Sequence, residues 1–499
     1  MLINTQENRM SNLLPFQTQF RTPLAIVKGN VDHTKFECQL KRIDEILRKS
    51  GVEEEFMERS LSDGSEESKK RLKEASESTR LNAQKHSRQA LRCNIARTLM
   101  GESVRNFSIL LAGMPLLQRF CEMDAWGGEV RVASKSTLDR YARWLPKEEM
   151  REVLSKLFQA VDGLGLEKRL DMDTYFLDTT CVKSNIHIPV DWVLLRDAVR
   201  TLMKAIILIR NQGLKHRMGE PKEFLKQINR FSIEMTHTRR RKNAKEEKKR
   251  VLRCMKDLVR IVKGHAIRYR DLLDKSWEET EWTRSEANQV LKRIDSVLEQ
   301  LPQAVKQAHE RIIGERQVSN KDKILSLYER ETNVIVRGKA GAEVEFGNTL
   351  LLGETKQGLI VDWKLWKESA PADSKMLKES LQRVKKLLGV EIKNVGGDRG
   401  FDSEKNRVHL KEKSIYNGIC PRDPKQLKQQ MKKSQFVKIQ KRRSQTEGRI
   451  GIFKNNFLGR PLRAKGFNHR ELVIEWAVLA HNLWVLARLP QAQTQTKAA

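Results

Sequence analysis

Apolar positions along the chain fall into three regimes. Residues 94–100, 107–117 and 136–145, the last ahead of Pro146, are short periodic runs that predict three short helices. From 191 to 319 apolar residues recur at spacings of three and four, as in Leu195, Val199, Leu202 and Ile206, with only Pro221 and Pro302 interrupting. That pattern predicts a long helical region. After Asn320 the period shortens: residues 334–336, 344–352 and 358–363 are β-rich runs between glycine-containing turns. An amphipathic helix over 374–388 and a strand over 390–395 follow, and the order strand, strand, helix, strand predicts a mixed α/β domain. Residues 472–489 are strongly apolar but carry Glu475, His481, Asn482 and Arg488, so they read as a buried helix with Trp476 and Trp484 packed inward. The segment 51–87 is rich in Glu, Ser, Lys and Arg with a breaker at Asp63, Gly64 and Ser65, and reads as a solvated helix or linker.

Charge changes the picture most. The 499 residues suffice for more than one folding unit, and 96 Lys and Arg against 64 Asp and Glu leave a formal net charge of +32. With 39% hydrophobic residues the chain is not of the disordered class, so the surplus points to a polyanionic partner, nucleic acid before an anionic membrane. No stretch reaches the ~18 apolar residues of a spanning helix, and residues 1–16 lack a secretory pattern, so a cytosolic protein without membrane partners is expected. Cys38, Cys93, Cys121, Cys181, Cys254 and Cys420 form no C-x-x-C pair, which argues against a zinc finger or disulfide framework.

Three basic stretches could meet DNA. The helix opening at Ser134 displays Lys135, Arg140 and Arg143 beside Leu138, Tyr141, Trp144 and Leu145, in the manner of a helix-turn-helix recognition helix or of a plain bundle helix with a basic surface. Arg239 to Lys242, with Lys245, Lys248, Lys249 and Arg250, reads equally as a phosphate track or as a solvated face interrupted by Glu246 and Glu247. Residues 422–443 hold nine basic residues, Lys432, Lys433, Lys441, Arg442 and Arg443 among them, against the single acid Asp423. A nucleic-acid track explains that excess better than a solvated face.

Three acids stand in settings suited to chemistry. Asp178 closes the β-type run 173–180, sharing a face with Thr174 and Phe176. Asp398 follows the strand and Gly396–Gly397 and precedes Arg399 and Gly400, where α/β domains place ligands and where glycines permit close approach. Glu447 lies on a helical stripe with Arg443, Gly451 and Lys454, a succession of cation, carboxylate, gap and cation that suits a metal-bound phosphate as well as ordinary ion pairs.

Taken together, Leu177-Asp178-Thr179-Thr180 with Asn185 to Pro189, Gly397-Asp398-Arg399-Gly400-Phe401, and Arg443-x3-Glu447-x6-Lys454 resemble the catalytic blocks of bacterial insertion-sequence DDE transposases. Arg337 to Lys339 and Val344 to Gly347 also look like family segments. The resemblance covers residues 171–489 and implies an α/β chain with an RNase H-like mixed-sheet catalytic core over 166–489, a helical insertion at 191–319, a helical N-terminal DNA-binding region over 1–165 and a tail at 490–499. It further implies that Asp178, Asp398 and Glu447 bind two Mg2+ ions, with Mn2+ as a substitute, and that Arg443, Lys454 and Arg399 contact DNA. Asn185 and His187 would orient the site or stabilise the loop. The implied partners are double-stranded DNA, as terminal repeats and target site, and further copies of the chain on paired ends. In a related group an aromatic precedes the arginine of the third block, but here that position is Gln440, so that group's tyrosine role does not carry over. A catalytically inactive DNA-binding regulator and a nuclease without strand transfer are the alternative readings.

Overall fold

The structure is a computed structural model that describes residues 23–62, 74–126, 129–238, 242–339, 342–459 and 462–491. The start of the chain, the breaker at 63–65, Arg239 to Arg241 and the tail beyond 491 lie outside the described residues.

The N-terminal part comprises α1 (Val31–Ser50), α2 (Val52–Ser62), α3 (Glu77–Leu99), α4 (Val104–Gly113) and α5 (Pro115–Phe120). A hairpin of β1 (Asp124–Trp126) and β2 (Glu129–Arg131) follows, then α6 (Lys135–Tyr141) and α7 (Met150–Gln159). Three expectations are corrected here. The segment read as a solvated helix or linker supplies α2 and the first half of α3, and it is solvated only in part: Glu53 is buried because Arg92 Nε donates to its Oε1 at 2.6 Å, with Arg92 Nη1 donating to the Phe120 carbonyl at 2.9 Å. The single helix expected over 107–117 is split at Met114, which takes an extended conformation ahead of Pro115. The helix at Ser134 is capped as expected, the Ser134 hydroxyl accepting from the Thr137 amide at 3.2 Å, but it ends at Tyr141. A β-hairpin lies between it and α5.

The sheet is built from β3 (Thr174–Lys183), β4 (Asn333–Lys339), β5 (Ala342–Thr355), β6 (Ile360–Leu365), β7 (Asn394–Gly397) and β8 (Tyr416–Ile419). One edge of the long β5 pairs antiparallel with β3; its other edge pairs with β4 and then with β6. On the far side of β3 lie β7 and β8, both parallel. This is the mixed-sheet α/β core that the RNase H-like resemblance implies. The strand expected at 390–395 starts late, because α12 (Leu377–Leu388) closes on Gly389 at φ 68° and Val390 is left exposed.

Around the sheet stand α12, α13 (Glu404–Glu412), α14 (Pro424–Gln430), α15 (Ser434–Ile452) and α16 (Phe467–Ala487). The last is the buried helix expected from its apolar run. Asn482 on α16 completes the exposed edge of β6, accepting from the Ile360 amide and donating to its carbonyl, each at 2.8 Å. Trp476 is buried and donates to the Ala142 carbonyl at 2.9 Å, which ties α16 to the N-terminal helices. One continuous apolar cluster runs from Leu40 through the sheet to Leu486, so the N-terminal helices and the sheet share a core. Between β3 and β4 the chain leaves the sheet as α8 (Asp191–Asn211), α9 (Pro221–His237), α10 (Ala244–Ser276) and α11 (Arg284–Ala308), four helices around a separate apolar cluster.

Two strand glycines set how closely α15 approaches. A Cβ on Gly396 would stand 2.7 Å from Phe176 Cδ1 and 2.9 Å from Ile439 Cγ2; one on Gly418 would stand 2.6 Å from the same Ile439 methyl. The glycines ahead of Asp398 therefore admit a helix. We expect Gly396→Ala to cost about 1–3 kcal/mol through overpacking, measured by urea denaturation, and stability equal to wild type would contradict this packing.

Candidate active site at the strand ends

Asp178 and Asp398 come from adjacent parallel strands. Phe176 lies opposite Gly396 in the β3–β7 register, and two residues further on each strand stands an aspartate. Burial and then the charge of Asp398 push the Asp178 carboxyl up to about 6, while the Thr179 amide and the Arg443 guanidinium act in the opposite direction. The charge of a third carboxylate, Asp373, also acts on Asp178 and adds to the upward shift. It belongs to the loop between β6 and α12, and its Oδ1 accepts from Thr179 Oγ1 at 3.2 Å. Nothing in the local sequence marks Asp373, which reads as a turn residue after Pro371; only the folding of that loop against the turn Arg399–Phe401 brings it here.

The helix α15 crosses this acid cluster. Gln440, Glu447 and Lys454 are spaced by seven and so share a stripe. Both ends of the stripe touch the sheet: Gln440 Nε2 donates to the carbonyls of Gly418 at 2.5 Å and Gly397 at 3.3 Å, and Lys454 Nζ donates to Thr180 Oγ1 at 3.0 Å. Gln440 therefore tethers the helix to the ends of β7 and β8, a role the sequence alone did not suggest. Glu447 is exposed midway along the stripe, and the space around Gly448 and Gly451 is open. Arg443 is half-buried and its charge reaches Asp178.

The donor set is oxygen-rich, as Mg2+ or Mn2+ requires, and the repulsion between Asp178 and Asp398 is of the kind a divalent ion relieves. Each aspartate has one oxygen held by a backbone amide, Asp178 by Thr179 at 2.7 Å and Asp398 by Gly400 at 2.8 Å. Among the described residues no three His, Cys, Asp or Glu side chains converge as they stand on a single metal position.

The basic residues divide into two groups. Lys432, Lys433 and Lys441 are exposed, and among the described residues none of them pairs with a carboxylate within 4.0 Å. Arg399 is exposed beside Asp398, while its carbonyl accepts from Arg422 Nε at 2.9 Å. Arg442, by contrast, is turned inward: Nη2 donates to Glu354 Oε1 at 2.9 Å, Nε to the Lys356 carbonyl at 2.6 Å, and the guanidinium lies 4.7 Å from the Phe176 ring centre. The guanidinium of Arg442 is thus engaged within the protein, unlike the side chain of Lys441. Away from the strand ends, Lys245 and Lys249 pair with Glu315, and Arg250 pairs with Glu234 and Glu247, so that part of the 239–250 run is a solvated face. Lys135 pairs with Asp139 at 3.4 Å, and Arg140 and Arg143 are exposed. His187 pairs with Asp197 of α8 at 3.3 Å, Asn185 is exposed and Cys181 is buried.

Residues 351–483 match the family model described as a transposase DDE domain. The matched span contains Asp398, Glu447, Arg443 and Lys454 and begins after Asp178, which the fold brings to Asp398 from outside it. No curated protein and no solved structure matches the chain. No helix among the described residues is long and apolar enough to cross a membrane.

Two outcomes follow. Because the folded state holds the Asp178 proton more tightly than the unfolded chain, ionising Asp178 costs stability that appears as pH rises past its ordinary value of 3.8 and is complete above about 6. In EDTA, Asp178→Asn should therefore stabilise the chain by about 1 kcal/mol at pH 8 and by much less at pH 4, measured by urea denaturation. Arg442→Ala, which strands Glu354 inside the protein, should cost about 3–5 kcal/mol, whereas Lys441→Ala should stay within about 0.5 kcal/mol of wild type in the same measurement.

Proposed function

We propose that this DDE-family chain is an insertion-sequence transposase that binds the ends of its element, cleaves phosphodiester bonds and transfers the 3′-hydroxyl ends to target DNA. The observation that carries the reading is the placement of Asp178, midway along β3, beside Asp398, just past the end of the parallel β7, inside a chain whose matched domain is named for this chemistry. Asp178, Asp398 and Glu447 would hold two Mg2+ or Mn2+ ions, which when bound activate the attacking oxygen and stabilise the leaving oxygen.

The remaining residues position DNA. Arg443 and Lys454 flank Glu447 on its stripe and neutralise non-bridging phosphate oxygens. Arg399 does the same from the Asp398 turn. Lys432, Lys433 and Lys441 extend the positive surface along the backbone of double-stranded DNA, and the open space at Gly448 and Gly451 leaves room for the scissile strand. Lys135, Arg140 and Arg143 add a second positive surface on the N-terminal helices, for the terminal repeats. Paired ends call for two copies of the chain or more, acting in the cytoplasm at the nucleoid.

A Mg2+-dependent cleavage and strand-joining assay on DNA carrying the flanks of the open reading frame tests the reading. Asp178→Asn, Asp398→Asn and Glu447→Gln should each reduce cleavage at least 100-fold while salt-dependent DNA binding stays within about threefold of wild type. Near-normal cleavage by one variant removes that residue from the site. Binding without cleavage by wild type would favour the inactive regulator, and cleavage without joining the nuclease.

A further inference from the structure

We infer that Asp373 is a fourth carboxylate of the metal site, so that the acid set of this chain is Asp178, Asp373, Asp398 and Glu447. The inference rests on the metal-dependent reading above and extends it to a residue that neither the sequence motifs nor that reading includes. Asp373 opens the short turn Asp373–Lys375 ahead of α12, and its side chain reaches across to β3. Oδ1 accepts from Thr179 Oγ1 at 3.2 Å, next in sequence to Asp178.

The other oxygen and Asp398 Oδ1 lie against the same side of Gly400. A Cβ placed on Gly400 would stand 2.6 Å from Asp373 Oδ2 and 3.0 Å from Asp398 Oδ1, so the two carboxylates share the space that a side chain at position 400 would occupy. Glycine at 400 keeps that space clear. Asp373 thereby spans from the neighbour of one strand-end acid to the flank of the other. A Mg2+ ion takes about six oxygen ligands, and a carboxylate at this position replaces water in that shell and raises affinity. Like-charged carboxylates held this close are costly in the absence of a cation, which is the condition a metal site meets.

Calorimetric titration of the full-length, metal-free chain with Mn2+ tests the assignment independently of DNA cleavage. Asparagine at 373 keeps an acceptor for Thr179 but loses the charge, so Asp373→Asn should weaken Mn2+ affinity roughly tenfold or more without lowering the melting temperature of the metal-free protein. Asp398→Asn serves as the reference for the site itself. Wild-type affinity in Asp373→Asn beside weakened affinity in Asp398→Asn would assign Asp373 a structural role and leave the metal site standing. Wild-type affinity in both variants, or no binding by wild type, would overturn the metal reading and the fourth ligand with it. A second measurement needs no variant: Fe2+ with ascorbate and peroxide should cut the wild-type backbone near 373 as well as near 178 and 398. Cuts at the two strand ends without one near 373 would overturn the assignment.

Discussion

When β3 pairs in parallel with β7, Asp178 is set beside Asp398, and the two negative charges cannot be relieved by moving either side chain far. The strands fix their backbones, and each carboxylate has one oxygen held by the amide of a nearby residue. What surrounds the pair follows from that constraint. Arg443 approaches from α15, and Asp373 adds a further carboxylate from the β6–α12 loop.

The helix α15 meets three demands with three faces. Its inner face, Phe436, Ile439, Arg442 and Thr446, packs on strands that carry glycine beneath Ile439 and on the buried Glu354, whose Oε1 accepts from Thr446 Oγ1 at 2.8 Å. The stripe of Gln440, Arg443 and Glu447, continued by Lys454 just past the end of the helix, is tethered at both ends to the sheet. Lys438 and Lys441 are exposed on its outer surface, and Lys432 and Lys433 are exposed just ahead of its first turn. Displacing the helix by one bulky side chain under Ile439 would move all of the site stripe at once.

Much of this was legible in the sequence, for identifiable reasons. Asp178 and Asp398 stand at the ends of apolar runs, and the glycines beside Asp398 mark a close approach, although the approaching group is Ile439. The mixed sheet and the buried helix α16 follow from period and length. Arg442 and Arg443 are adjacent in a basic run, and composition says nothing of the ~100° that separates them around the helix, which sends one to Glu354 and the other towards Asp178. Asp373 carries no periodic signal because a tertiary fold-back creates its surroundings. The three-residue strands β1 and β2 are too short to show alternation, and the polar faces of α2 and α3 conceal buried pairs such as Arg92 with Glu53.

A double-mutant cycle measures directly how closely Asp178 and Asp398 stand. Urea denaturation in EDTA at pH 8 would compare wild type, Asp178→Asn, Asp398→Asn and the double variant. Adjacent ionised carboxylates predict that each asparagine is stabilising alone and that the double variant gains less than the sum, with a coupling of about 1 kcal/mol. Additive changes would mean that the two charges do not meet, and would contradict a metal site shared between these strands.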